Sequence, residues 1–250
     1  MFIFPYRTEV YLEQSPIANW MIIAITMVVS FVGFVDETSM EKLSGAAYEG
    51  GFSKLELNLD DDLNLSVSSV EREAKGSAFD RYFAATITSN LVHTGFWHLI
   101  GNMAFLWAFG NAVNSRFGNA KYVGLYLVCM IGSSLFEYAT GSAVAVGASG
   151  AIMGIVGAYL VYFPTNDITM AGLILIRPFA FTVSGFWVIG AYVLMDVIML
   201  ATDSAGATAV IAHISGFLIG FAGGFACLKT GFVESDQDER TLVDLFSKAA

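Results

Sequence analysis

The stretch that decides the fold is Ala205–Leu228, AGATAVIAHISGFLIGFAGGFACL, 24 residues without a formal charge. A helix of about 20 mostly apolar residues is enough to cross a bilayer. The glycines at 216, 220 and 224 recur every four residues. They therefore share one helix face, where a second backbone can approach closely. A single ionisable residue interrupts the run, His213, three positions before that face. The stretch predicts a membrane helix packed hard along one side and holding an imidazole among apolar neighbours.

Five more stretches have this character: Ile17–Val35, Phe96–Val113, Tyr122–Phe136, Gly150–Phe163 and Phe181–Leu200. Gly150, Gly154 and Gly157 give the fourth of the six spans a glycine face of its own. Composition agrees. Of 250 residues 56% are apolar and only 14% charged, about half the charge of a soluble domain, too little to cover a surface in water. A soluble globular enzyme and a disordered chain are excluded. Twelve basic against 22 acidic residues give net −10 with no basic stripe, which argues against a nucleic-acid partner. Two cysteines cannot form a disulfide scaffold; Cys129 and Cys227 fall in spans and are expected in the core.

Charge sets the expected topology. Six spans put both termini on one side. With that side inside, the inner segments hold Arg7, Arg116, Lys121, Arg177, Lys229, Arg240 and Lys248, while the short outer loops 139–148 and 201–204 hold no Lys or Arg, as the positive-inside rule expects. The first span reads as a retained anchor. Residues 36–95 carry 11 acids and five bases and form a long outer loop. Its Leu55–Leu65 segment alternates apolar and polar residues and is expected to lie amphipathically on the surface. The expected organisation is a short cytoplasmic N-terminus (1–16), a six-helix membrane domain (17–228, with 36–95 as the outer loop) and a solvated acidic cytoplasmic tail (229–250). The fold class is all-α, a polytopic six-helix bundle in a cell (inner) membrane, with both termini cytoplasmic.

A polar group within the hydrocarbon calls for a reason. The candidates are His98, Asn102, Glu137, Ser149, Asp196 and His213. Glu137 and Asp196 lie near the outer ends of their spans and read as interfacial or structural. His98 and Asn102, four apart, share a helix face; they could simply bond two helices together. Ser149, in Gly147-Ala148-Ser149-Gly150, could simply cap a helix. Taken together they offer chemistry. A serine hydroxyl becomes a useful nucleophile when a base such as histidine takes its proton. Two close-packed glycine faces would bring Ser149 towards His213, and the His98–Asn102 face would offer donors to an oxyanion. A helix over Gly150–Phe163 would be about 21 Å long, against a hydrocarbon core of about 30 Å, so Ser149 would lie below the outer surface. There is no H-E-x-x-H for a metal-dependent peptidase, and no cofactor or metal is implied.

The motifs His93-x-x-x-x-His98-Leu99-x-x-Asn102-Met103, Gly147-x-Ser149-Gly150 and Ala212-His213-x-x-Gly216-x-x-x-Gly220, in this order on apolar spans, resemble those of the rhomboid family of intramembrane serine proteases. The likeness runs from Thr88 to about Gly224. It implies a six-helix core with a long first outer loop and a Ser149–His213 dyad without an acid. It also implies an oxyanion site of His98, Asn102 and the Ser149 backbone N–H, with Gly147 and Gly150 flanking the nucleophile. The sequence departs from the family pattern at Ala84-Ala85, Asn114, Met153 and Thr208, and none of these removes a reacting group. The expected function is that of a serine endopeptidase cutting near the outer end of a transmembrane segment in another membrane protein, single-span proteins included. The alternative is a non-enzymatic binder or escort of membrane helices built on the same fold.

Overall fold

The computed structural model describes residues 2–35, 54–59, 65–70, 78–140, 146–174, 177–202, 207–236 and 239–247. Helices stand at all six expected places. The first, α1 (Ile17–Val35), has the expected bounds. Next, after α2 (Ala78–Leu91), comes a run made of α3 (Phe96–Phe105), a π-helical turn (Leu106–Gly110) and α4 (Asn111–Phe117). The remaining long helices are α5 (Asn119–Ala139), α6 (Ser149–Tyr162), α7 (Gly185–Ala201) and α8 (Ala207–Thr230). Among the described residues, α5 and the Ala209–Thr230 part of α8 are long and apolar enough to cross a bilayer by themselves; Ile17–Val32, α6 and α7 are shorter apolar helices.

Helix α6 is the axis of the core. Nearly every residue from Gly150 to Tyr162 is buried. Its glycine face meets that of α8 so closely that a Cβ on Gly216 or Gly220 would run into the carbonyl oxygens of Gly150 and Gly154. A Cβ on Gly154 would likewise strike the buried Cys129 of α5. The outward faces remain apolar: Met21, Val28 and Phe31 on α1, and Trp187, Leu194 and Ile198 on α7, are exposed. Such surfaces suit lipid rather than water.

The fold is not purely helical. Strands β1 (Phe2–Thr8), β4 (Asp167–Ile174) and β5 (Arg177–Ser184) form an antiparallel sheet in the order β1-β4-β5. The expected span from Phe181 is corrected accordingly: Phe181 pairs with Met170 inside the sheet, and helix α7 begins only at Gly185. Phe179 and Phe181 alternate with smaller residues, so their rings stack on one face of the sheet, a period-2 pattern that a hydropathy reading merges with the helix that follows.

The outer segment is corrected as well. Its alternation belongs to a hairpin of β2 (Lys54–Leu59) and β3 (Leu65–Val70), since strict alternation is the period of a strand; residues 60–64, with the three aspartates, lie outside the described residues. Residues 78–91, assigned to the outer loop, form α2. The tail is not a solvated end either. Val233 is buried and its carbonyl accepts from Tyr162 Oη at 2.9 Å. Glu239 pairs with Arg116, and a short helix, α9 (Leu242–Ser247), follows.

Candidate active site

The site is organised around the turn that enters α6. Gly147 has φ +128°, a conformation that side-chain-bearing residues rarely adopt. A Cβ there would lie 2.8 Å from His98 Cε1 and 3.1 Å from His98 Nε2, so only glycine lets the imidazole sit against this backbone. The Gly147 N–H donates to the Ser89 carbonyl of α2 at 2.8 Å, which ties the turn to a neighbouring helix. Ser149 is the first residue of α6. The capping position is Ala148, and the cap makes no side-chain hydrogen bond. Ser149 therefore does not serve as the side-chain cap, and this partly exposed residue stands at the head of a buried helix.

His98 and Asn102 reach this turn from α3. His98 Nδ1 lies 3.2 Å from Thr94 Oγ1, so the opposite edge of the ring is turned to Gly147. Asn102 is buried, and among the described residues its Nδ2 has no hydrogen-bond partner; it lies 3.8 Å from where a Gly147 Cβ would stand. An unpaired buried amide donor costs about 1–3 kcal/mol. Here the orphan donor adjoins the nucleophile motif. His93 supports the ring of His98, edge to face at 5.1 Å. Ser30 Oγ donates to the Leu91 carbonyl at 2.9 Å. The same oxygen can then accept from His93 Nδ1–H, 3.1 Å away, which leaves His93 Nε2 buried and unpartnered.

From the other side, α8 brings His213. A Cβ on Gly150 would lie 3.3 Å from Ala212 Cβ, so the residues flanking Ser149 and His213 are in direct contact across the glycine seam. His213 Nδ1 lies 3.3 Å from both carboxylate oxygens of Asp196 on α7. Asp196 is 6% exposed, inside the protein rather than on its lipid-facing surface. Glu137 is also buried, at 2%. Cys129 is in the core as expected, and Cys227 is partly buried.

The three sequence stretches thus converge on one turn. The Asp196–His213 contact is what sequence reasoning missed; the available signal was a lone acid in an otherwise apolar span, 17 residues before a lone histidine in the next.

Comparison with known proteins gives one family. The rhomboid domain model matches residues 80–230. Rhomboid protein 1, mitochondrial, of Saccharomyces cerevisiae is 32% identical over 166 residues, covering 62% of this chain and 44% of that protein. RHOMBOID-like protein 5 of Arabidopsis thaliana is 31% identical over 140 residues, covering 55% and 41% respectively. Rhomboid protease GluP of Bacillus subtilis is 35% identical over 74 residues, 30% of this chain and 15% of that protein. The chain thus spans less than half the length of these relatives.

Proposed function

The chain belongs to the rhomboid family, and from that premise we propose that it is an intramembrane serine endopeptidase acting by a Ser149–His213 dyad. The observation that carries the reading is the convergence at Gly147–Gly150, with an orphan amide donor on one side and the histidine-bearing glycine seam on the other. In the proposed reaction Ser149 Oγ attacks the scissile carbonyl carbon while its proton passes to His213 Nε2. The carbonyl π pair moves onto oxygen, and the oxyanion accepts hydrogen bonds from Asn102 Nδ2, His98 and the Ser149 N–H. One such side-chain donor is worth about 10²–10³ in kcat in one well-studied protease. Collapse breaks the C–N bond, and the imidazolium returns its proton to the leaving amine. Water, deprotonated by the same imidazole, then releases the acyl group and regenerates Ser149.

The substrate class follows from the site's setting in an integral membrane protein: a transmembrane segment of another membrane protein. A helix hides its carbonyls in hydrogen bonds, so Gly or Pro near the cut would ease local unwinding. We place six membrane spans at the six helical regions, both termini on the inner, cytoplasmic side, and the cut near the outer end of the substrate span. A reporter fused after Lys229 should then be cytoplasmic and one within 55–65 external; the reverse result would invert the topology.

The test of the chemistry is labelling by a serine-directed fluorophosphonate in detergent. One adduct, located on Ser149 by mass spectrometry and absent from Ser149→Ala, is the expected result. No adduct on correctly folded wild type would favour a helix-binding or escort role on the same fold.

A further inference from the structure

Asp196 is surrounded in sequence by residues that face outward: Leu194, Met195, Val197 and Ile198 are all exposed. Asp196 alone turns inward. A buried carboxylate is costly unless it is partnered, and among the described residues its hydrogen-bonding partner is His213 Nδ1, 3.3 Å from each oxygen. The imidazole is itself only partly held, with its side chain 26% exposed. One turn below the nucleophile the side chain is Met153, so no aromatic ring at that point braces the base. The carboxylate has the place from which the ring can be steered.

We propose that Asp196 is the positioning residue of the His213 base, so that the reaction runs through a Ser149–His213–Asp196 relay; this rests on the dyad reading above. An acceptor at Nδ1 selects the tautomer that carries its proton there, and leaves the Nε2 lone pair free for the Ser149 proton. It fixes the ring plane. It also stands beside the imidazolium that forms when Oγ attacks, where it can accept the Nδ1–H bond. At 3.3 Å the contact is looser than a charge-assisted bond of about 2.7–2.9 Å, and it tightens when the ring takes the proton.

The experiment measures the fluorophosphonate labelling rate, and kcat and KM on a cleaved substrate, for wild type, Asp196→Asn, Asp196→Glu, His213→Ala and His213→Ala/Asp196→Asn. All rates are taken on the folded fraction recovered by gel filtration. In a soluble serine protease the corresponding amide replacement lowers kcat by about 10⁴; with the looser contact here, Asp196→Asn should lower both kcat and the labelling rate at least about tenfold. KM should stay within about twofold, because the interaction strengthens only as charge develops. Asp196→Glu, which keeps the carboxylate, should recover part of the loss. In the His213→Ala background the Asn change should add nothing, since Asp196 acts through the imidazole. Wild-type rates for Asp196→Asn, or an equal loss with and without His213, would overturn the relay while leaving the dyad standing. Undiminished cleavage by Ser149→Ala in the same assay would instead remove the dyad itself, and the relay with it.

Discussion

Two polar clusters lie toward opposite ends of α5, and they use their hydrogen-bonding capacity differently. Around Asn19 the atoms are satisfied. Asn19 Nδ2 donates to the Leu106 carbonyl and to Asn111 Oδ1, both at 2.9 Å, and Oδ1 accepts from Tyr122 Oη at 2.6 Å. Asn114 Oδ1 accepts from the Asn19 N–H, Asn114 Nδ2 donates to Asn119 Oδ1, and the same Asn119 oxygen accepts from the Ala18 N–H. The π-helical turn lies at this point, where the Asn19 amide enters the carbonyl ladder of the α3–α4 run. A Cβ on Gly110 would overlap Asn19 Oδ1, so the turn also needs glycine. Around Gly147, by contrast, Asn102 Nδ2 and His93 Nε2 are buried without partners. A network with every bond made holds helices together. One with polar atoms left over is costly by itself, and in a serine peptidase a free donor such as Asn102 Nδ2 is completed by the transition state.

The sharpest break in this comparison would come at the base. His213→Ala should reduce turnover per folded molecule by about 10⁶, as loss of the base does in subtilisin, and should also lower the melting temperature, because the buried Asp196 loses its partner. Full turnover without the imidazole would make the Gly147 cluster another structural network. Next in size is a paired experiment. Asn102→Ala should lower kcat by about 10²–10³ and leave Tm unchanged or slightly raised, because an unsatisfied buried amide is removed. Asn19→Ala should do the opposite. It strands the Leu106 carbonyl, Asn111 and Tyr122, at about 2–4 kcal/mol of stability, and leaves kcat per folded molecule unchanged. Parallel losses of kcat and Tm in both variants would erase the distinction.

The smallest effect is expected in the tail. Burial pushes the Glu239 carboxyl up from its usual range, while the Arg116 guanidinium pulls it back. Raised in the folded state, this group favours folding most below its unfolded pKa, and that contribution is lost as pH rises through the folded value. At neutral pH the ionised carboxylate is therefore no large asset, and Arg116 keeps Glu13 at 2.7 Å. Glu239→Gln should shift stability by less than about 1 kcal/mol in a thermal melt. A loss of several kcal/mol would mean that the ion pair docks the tail.

Much of this was legible in the sequence. Long apolar runs announce helices wherever they occur, and Ile17–Val35 emerged with its bounds intact. The glycine spacing in 150–157 and 216–224 foretold which two helices meet, because only backbones without Cβ atoms can come so close. Apolarity does not report which way a residue inside a span faces, so Asp196 could not be assigned to His213 by position alone. Nor does it separate a strand from the helix that follows it, which hid the start of α7. Strand β1 pairs with β4 more than 150 positions along the chain, and no local pattern encodes such a partner. The role of Asn114 was hidden for a related reason: its value lies in Asn19 and Asn119, which it joins across two helices.

In the proposed function, the turn at Gly147–Gly150 presents a nucleophile to transmembrane substrates. The direct test reconstitutes wild type and Ser149→Ala into identical proteoliposomes with a panel of single-span membrane proteins, and sequences the new amino termini that appear. At least one product is expected, cut near the outer end of its span by wild type and missing with the alanine variant. The same product formed at the same rate by Ser149→Ala would contradict the proposed function.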